Sequence, residues 1–330
     1  MSLPKKIEQR ASKEGNNVIL ITGSNGYVGG YVLRTLAQSG PAQHVKGLVR
    51  SEAQADKIRR YGALPAIGDV TDPASLTRAM AGVDVVIHLA AVNRDRGAST
   101  MARINAEGTR NVVNAAKAAG VTRIINLIGL GADESRPYPL ASTQGQGVRA
   151  IIESGIPYTI LETSVIFGEG DEFINTLAGL ARIPPFMVVP GDGKTAFQPM
   201  AAADVAACIV KAVDLPETLN QRLQICGSEV LTLEAIIDAI MAEMGIKRVK
   251  LKIPVGLLKL PVALMDKLLP RPPVTPSLLG MLGVNNTTRD NKTETVFGIT
   301  PLRLRDGIAF TRKMTLGKLI RRSLGKGEYR

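Results

Sequence analysis

The chain has 330 residues, of which 45% are hydrophobic and 21% are charged, a composition typical of a globular protein with a sizeable core. Aromatic residues make up only 4% and tryptophan is absent, so we expect no surface that stacks on nucleic acid. The formal net charge of +12 favours an acidic partner, such as an anionic membrane surface or a phosphate-bearing ligand.

The first half of the sequence alternates short β-branched runs with amphipathic stretches, a pattern typical of a parallel sheet covered by helices. The predicted strands are Val18–Thr22, Val45–Val49, Leu64–Ile67, Val83–Leu89, Arg123–Leu127 and Tyr158–Leu161. The predicted helices are Gly26–Gln38, Pro73–Ala81, Asn105–Ala119 and Ala141–Glu153. Beyond Gly168, helices are predicted at Glu172–Ala181, Ala202–Val213 and Leu233–Met244, between loops rich in glycine and proline.

These elements predict a doubly wound α/β fold of the Rossmann type with a smaller, mostly helical carboxyl-terminal lobe. We expect a basic tail at residues 1–16 and the dinucleotide-binding core at 17–168. Residues 169–310 are expected to complete the core and form the lobe, and residues 311–330 to form a second basic tail.

The cysteine and histidine content limits the chemistry. The two cysteines, Cys208 and Cys226, lie in apolar segments and predict no disulfide framework, which favours a reducing, cytoplasmic or matrix-like compartment. The two histidines, His44 and His88, supply no ligand cluster, so no metal is expected. We also expect no signal peptide in the first fifteen residues and no membrane-spanning helix.

A glycine-rich turn follows the first predicted strand and opens the first helix. Glycines at such a turn let the backbone approach a pyrophosphate, while the helix N-terminus offers N–H donors and partial positive charge. The alternative is a tight turn with no ligand. The predicted cradle consists of Thr22, Gly23, Asn25, Gly26, Tyr27, Val28 and Gly29.

The end of the second strand indicates which dinucleotide is bound. An acidic residue there would bind the ribose 2′-hydroxyl and repel a 2′-phosphate. This chain has Arg50 and Ser51 instead, and a guanidinium suits a phosphate, so NADP(H) is favoured over NAD(H). The alternative is that Arg50 is only a solvated surface charge.

Two further loops are expected at the carboxyl edge of the sheet, where ligands of such folds bind. Asp69 and Val70 follow the third strand, and Ala90 and Ala91 follow the fourth. Asp69 is a candidate acceptor for the adenine amino group. Its alternative role is to cap the helix that begins at Pro73.

From about Asn17 to at least Val213, these features together resemble the extended and atypical short-chain dehydrogenase/reductases. The segments Ile156–Leu161, Ser164–Gly168, Gln198–Ala206 and Leu268–Thr275 are similar to a subgroup that includes the Rossmann-type accessory subunit of respiratory complex I and its bacterial relatives.

The resemblance implies a catalytic tyrosine, a lysine four residues later and a serine or threonine on the fifth strand. Here the candidate is Tyr138, followed four residues later by Ser142; a second alignment puts Leu140 and Gln144 at the two positions. The lysine is missing in both alignments, the strand position is Ile128, and Glu162–Thr163 replaces the usual Arg-Pro. Catalysis by the family's mechanism is therefore doubtful, and Tyr138 could instead be a loop aromatic beside the cofactor crevice.

Two carboxyl-terminal segments combine apolar and basic residues. Ile253–Leu269 is leucine-rich and contains Lys259 and Lys267, and Arg312–Arg322 places Met314, Leu316, Leu319 and Ile320 among basic residues. Both suit an anionic bilayer surface or an acidic partner. The alternative is that each packs its apolar side on the lobe and leaves its charges in solvent.

Three functional hypotheses follow. The first is an NADP(H)-binding protein with impaired or lost catalysis that serves a membrane-associated respiratory or photosynthetic complex as an accessory subunit or assembly factor. The second is an active NADPH-dependent oxidoreductase or epimerase on an apolar, quinone- or isoprenoid-like substrate. The third is a redox-sensing regulator.

Overall fold

The computed structural model describes residues 17–39 and 44–326, so the predicted tail at 1–16 lies outside the described residues. The strands are β1 (Ile19–Thr22), β2 (Val45–Val49), β3 (Leu64–Ile67), β4 (Val85–His88), β5 (Arg123–Gly129), β6 (Tyr158–Thr163), β7 (Ile166–Phe167), β8 (Phe186–Pro190), β9 (Ala196–Phe197), β10 (Met200–Ala201), β11 (Gln221–Gln224), β12 (Leu231–Thr232) and β13 (Val249–Ile253).

The α-helices are α1 (Tyr27–Ser39), α2 (Glu52–Arg59), α3 (Pro73–Ala79), α4 (Thr109–Ala119), α5 (Pro139–Glu153), α6 (Phe173–Ala181), α7 (Ala202–Asp214), α8 (Leu233–Glu243), α9 (Val255–Leu268), α10 (Pro276–Met281), α11 (Leu304–Gly307) and α12 (Leu316–Ser323). A π-helical segment, Ala102–Gly108, leads into α4. Short 3₁₀ turns lie at Pro216–Thr218 and Ala309–Lys313.

A seven-stranded sheet in the order β11-β6-β5-β4-β1-β2-β3 confirms the predicted doubly wound α/β fold. β1 pairs in parallel with β2 on one side and with β4 on the other. All four residues of β1 and of β4 are buried, because helices cover both faces of a parallel sheet. The carboxyl ends of these strands therefore lie at one edge of the sheet.

The chain divides into two compact units. The first comprises the described residues up to Ile128 together with Ala132–Glu162 and Ala206–Leu223. The second comprises Gly129–Gly131, Thr163–Val205 and the described residues from Gln224 onward. The core of the second unit is formed mainly by α6, α8, β8 and the segment around Met314.

The sequence prediction missed several elements. It gave no strand after β6 and no helix after α8, whereas the structure has β7–β13 and α9–α12. Glu52–Arg59 forms α2, which the pattern did not indicate because only Ala55 and Ile58 of its eight residues are buried. The predicted helix Asn105–Ala119 begins earlier, and its first part is π-helical. The other predicted elements lie within two residues of the observed bounds.

The carboxyl-terminal basic segment is folded as far as the structure describes it. Leu319 of α12 packs against Gly179 of α6, and Arg322 is buried and pairs with Glu172. Arg312 pairs with Glu243, and Lys313 with Glu169. The segment was expected to present five basic residues to an anionic surface, namely Arg312, Lys313, Lys318, Arg321 and Arg322. Three of them are ion-paired within the second unit. Leu319 packs as the alternative of packing on the lobe predicts, whereas the burial of Arg322 was predicted by neither interpretation.

A buried arginine joins β5 to the end of α7 in the first unit. Arg123 is 7% exposed, and its guanidinium donates to the carbonyls of Val213 (3.0 Å) and Leu215 (3.1 Å) and to the hydroxyls of Thr159 and Thr218. Burial lowers the pKa of Arg123 to about 10. The cation caps the carboxyl end of α7, where the helix dipole favours positive charge.

We expect Arg123→Met to lower the free energy of unfolding by about 2–4 kcal/mol, because it removes four hydrogen bonds of a buried guanidinium and leaves the buried Val213 carbonyl without this donor. Urea unfolding measures the change. Arg110→Met, at an exposed position of α4, is the matched control and should change stability by less than about 0.5 kcal/mol. Equal stabilities of the two variants would contradict the capping role.

Candidate functional site

The turn after β1 depends on two glycines. Gly23 has a φ of +67°, and a Cβ on it would lie 2.7 Å from the carbonyl carbon of Leu89, at the end of β4. A Cβ on Gly29 would lie 2.3 Å from the carbonyl oxygen of Gly23. Side chains at either position would therefore separate the first turn of α1 from the strand ends.

The turn is closed by the Gly26 amide, which donates to the Gly23 carbonyl at 2.8 Å. Gly26 is exposed, whereas Asn25, Tyr27 and Val28 are half-buried around the start of α1. This arrangement presents the first amides of α1 at the carboxyl edge of the sheet. Such an array binds phosphate through N–H donors and the helix dipole.

A buried serine that sequence reasoning missed ties the turn to the neighbouring strand. Ser24 is fully buried, and its hydroxyl donates to the Leu48 carbonyl of β2 at 2.8 Å. The second position of the glycine motif is thus structural. The sequence signal for this role was a small polar residue inside the glycine turn, directly after Gly23.

A buried histidine lies beneath the loop that carries Ala90 and Ala91. The Thr22 hydroxyl accepts from the amides of Leu89 (3.2 Å) and Ala90 (3.3 Å) and lies 2.7 Å from Nδ1 of His88. Nε2 of His88 lies 2.9 Å from the Thr109 hydroxyl, which itself donates to the Asn105 carbonyl. The Thr109 hydroxyl therefore accepts from Nε2. The Thr22 hydroxyl already accepts from two amides and so donates to Nδ1, which leaves His88 neutral with its proton on Nε2.

The π-helical segment holds the continuation of the same loop. Asn105 accepts from the Val92 amide at 2.8 Å and donates to the Val92 carbonyl at 2.9 Å. It also donates to the Thr143 hydroxyl of α5 at 3.3 Å. Ala90 is half-buried and Ala91 exposed, so both predicted residues lie on a loop fixed from below.

The end of β2 carries Arg50, and a second cation, Lys57, lies on the helix α2 that follows. Arg50 is exposed, and its backbone amide donates to the Gln54 side chain. Ser51 is the N-cap of α2, yet its hydroxyl makes no capping hydrogen bond. Lys57, which sequence reasoning missed with α2, donates to the Asn25 carbonyl at 2.7 Å. Glu52 is occupied by its ion pair with Arg59.

Asp69 does not cap the following helix. Asp72 accepts from the amides of Ala74 and Ser75 and is the N-cap of α3, so the alternative role of Asp69 is wrong. Instead Oδ1 of Asp69 accepts from the amide (2.8 Å) and hydroxyl (2.9 Å) of Thr71, which fixes the carboxylate. Val70 is buried, and its carbonyl accepts from Asn111.

The structure places the candidate proton-transfer residues around the start of α5. Tyr138 is the half-buried N-cap residue of the helix. Ser142, four residues on, donates to the Glu134 carbonyl at 3.0 Å. Ile128 is buried in a cluster with Ala132, Val148 and Ile160. The position four residues after Tyr138 therefore lacks the lysine that the resemblance implies, and the position of Ile128 on β5 lacks the hydroxyl.

Glu162, in place of the usual arginine, has a structural role. Its buried carboxylate pairs with Arg222 of β11, and Arg222 also donates to the Ala132 carbonyl at 2.7 Å. This pair fixes the loop between β5 and α5. Within the described part of the chain, no group of three or more His, Cys, Asp or Glu is arranged to hold a metal ion.

Comparisons with known proteins agree with this geometry. A family model described as NAD(P)H-binding matches residues 23–216. Over 228 residues the chain is 28% identical to quinone oxidoreductase 2 of Escherichia coli strain K12, spanning 69% of this chain and 75% of that protein. It is 24% identical over 246 residues to the mitochondrial NADH dehydrogenase (ubiquinone) 1 alpha subcomplex subunit 9 of Dictyostelium discoideum, spanning 72% and 67% respectively.

The fold matches a solved structure as well. The NADPH-dependent quinone oxidoreductase of Escherichia coli in complex with NADPH superposes with a TM-score of 0.72 at 24% identity, covering 88% of this chain and 98% of that one.

The neutral, buried state of His88 predicts a pH dependence of stability. Burial lowers the pKa of His88 from 6.5 to about 4, so the unfolded chain binds more protons between these values and stability falls as the pH falls. Between about pH 7.5 and about pH 5 this group should remove about 2 kcal/mol from the free energy of unfolding.

The control for this prediction is His88→Asn, compared with wild type at both pH values. Asp171 acts with the opposite sign, because burial raises its pKa to about 7 and its contribution grows as the pH falls. The difference between wild type and His88→Asn isolates the histidine. Parallel pH profiles would contradict a neutral buried imidazole.

Proposed function

This chain belongs to the NAD(P)H-binding family whose model it matches over residues 23–216, and we propose that it holds NADP(H) with impaired or lost catalysis. Its resemblance to the atypical short-chain dehydrogenase/reductases, with relatives in complex I, is confirmed. The proposal is supported by the close-packed glycine turn at the start of α1 together with the absence of a lysine from the proton-transfer positions of α5.

We attribute the proposed loss of catalysis to the absence of a positively charged lysine near the candidate tyrosine. In this chemistry a lysine lowers the pKa of a phenol, ordinarily about 10, toward neutrality. The serine or glutamine at the lysine position, Ser142 or Gln144, is uncharged and cannot do this. Ile128 is apolar and buried, so it offers no hydroxyl to orient a substrate.

The preference for NADP(H) rests on the groups at the end of β2. Arg50 supplies positive charge at the end of β2, Lys57 supplies it at the Asn25 carbonyl, and Ser51 offers a hydroxyl that does not cap α2. The acid nearest in sequence, Glu52, is neutralised by Arg59. We therefore assign Arg50, Ser51 and Lys57 to the 2′-phosphate, with the cradle on the pyrophosphate and Asp69 and Val70 at the adenine.

We expect NADPH to bind more tightly than NADH, and Arg50→Ala to weaken NADPH roughly tenfold to hundredfold while leaving NADH nearly unchanged. Lys57→Ala should act in the same direction with a smaller effect, because its ammonium already has the Asn25 carbonyl as partner. Calorimetric titration of both dinucleotides measures these affinities.

Arg78→Ala, which removes an exposed arginine from the last turn of α3, is the control and should bind both dinucleotides like wild type. Equal wild-type affinities for NADPH and NADH, or an unchanged NADPH affinity in Arg50→Ala, would contradict this assignment.

The role we propose is an accessory subunit or assembly factor of a membrane-associated respiratory or photosynthetic complex. It is supported by the similarity to the complex I subunit and by the basic charge of the chain. Within residues 17–39 and 44–326, no helix is long and apolar enough to cross a bilayer. We place the protein in a reducing compartment, peripheral on the inner face of a membrane.

A second candidate is an active NADPH-dependent reductase of a quinone-like substrate. It is favoured by the similarity to quinone oxidoreductase 2, which spans more than two thirds of both chains. In that case residues outside the ordinary tyrosine and lysine positions would supply the chemistry.

Turnover separates the two candidates. We expect NADPH oxidation with quinones, ketones and nucleotide sugars to stay well below about 1 s⁻¹, near the lower end of ordinary enzyme rates, because no lysine polarises a tyrosine. Absorbance of NADPH under saturating dinucleotide measures the rate. A turnover of about 1 s⁻¹ or more with any of these acceptors would contradict the first candidate, and such a turnover with a quinone would establish the second.

A further inference from the structure

Helix α9 exposes a continuous stripe of leucines. Leu257, Leu260, Leu264 and Leu268 are 69%, 80%, 57% and 70% exposed. Their spacing of three, four and four residues places them on one side of the helix, a set we call the leucine face. Large exposed apolar patches of this kind are rare on monomeric proteins without a binding role.

The leucine face is joined in sequence to a second exposed apolar surface. β13 runs directly into α9 and pairs in parallel with β8, so that Val249 lies beside Phe186 and Leu251 beside Val188. All four side chains are exposed, between 37% and 60%. On α9 itself only Val262 is fully buried, so the helix contributes little to the core of its unit.

The exposed lysines of α9 indicate that its binding partner is anionic. Lys259 and Lys267 are exposed on α9, and the ion pairs of the described residues do not involve either. The lysines of β13 differ, since Lys250 and Lys252 both pair with Glu234. The basic residues of the carboxyl-terminal segment are largely paired as well, so α9 combines exposed leucines with cations that have no acidic partner.

We propose that the leucine face lies in the interface of an anionic lipid bilayer, with Lys259 and Lys267 at the level of the headgroups. This inference rests on the proposed function, for which it names the membrane-contacting element. A bilayer fits better than a second copy of the chain. The exposed leucines and the two lysines outside the ion pairs match an apolar layer beneath anionic headgroups, and a bilayer needs no matching shape.

The test is flotation of the full chain with phosphatidylcholine vesicles, with and without phosphatidylglycerol. Leu260→Gln/Leu268→Gln removes the two most exposed leucines and keeps good helix formers. Val230→Gln/Leu302→Gln is the matched control, since these residues are 59% and 42% exposed in the same unit but lie outside α9. Circular dichroism and the thermal unfolding midpoint verify that every variant is folded.

Wild type and control should bind the anionic vesicles equally, and the α9 variant should bind at least about tenfold more weakly. Wild-type binding should be weaker on neutral vesicles and at ionic strengths above about 0.15 M. Failure of the wild type to float, or equal flotation of the α9 variant, would overturn the proposal. So would a wild-type dimer in light scattering that the α9 variant converts to monomers.

The outcomes also separate this inference from the proposed function. A chain that floats through α9 but binds no NADPH would support the membrane contact and contradict the dinucleotide role. A chain that binds NADPH but ignores anionic vesicles would overturn the membrane contact alone.

Discussion

The close approach of Gly23 to the end of β4 is the constraint on which the dinucleotide site depends. With no side chain at Gly23 or Gly29, the turn after β1 lies against Leu89 and α1 begins directly above it. The Thr22 hydroxyl, which accepts from two amides of the β4 loop, completes this junction. A larger residue at either glycine would move the helix N-terminus away from the sheet edge and remove its phosphate-binding amides.

Several buried polar groups of the first unit stabilise loops through hydrogen bonds and an ion pair. His88, Asn105 and the Glu162–Arg222 pair each fix a loop at the carboxyl edge through buried hydrogen bonds. The positions of the lysine and of the strand hydroxyl carry neutral or apolar residues instead. Since buried polar groups are costly unless satisfied, this distribution favours a rigid binding platform, and it agrees with our proposal of dinucleotide binding without ordinary catalysis.

The sheet and the glycine turn were predictable because buried parallel strands are apolar runs and the turn requires glycine. Helix α2 was not, since two buried residues leave no apolar periodicity, and Lys57 was missed with it. The π-helical segment has no sequence signature that separates it from an α-helix. The packing of Leu319 and Arg322 depends on α6, which is distant in sequence. The exposure of the leucine face likewise depends on what the second unit leaves uncovered.

Binding of NADP(H) through Arg50 and the glycine turn can be tested by a crystal structure grown with equal concentrations of NADPH and NADH. We expect density for NADPH, with the pyrophosphate at the first turn of α1 and the 2′-phosphate within hydrogen-bond distance of Arg50, Ser51 and Lys57. Density for NADH, or a 2′-phosphate that points away from these residues into solvent, would contradict this expectation.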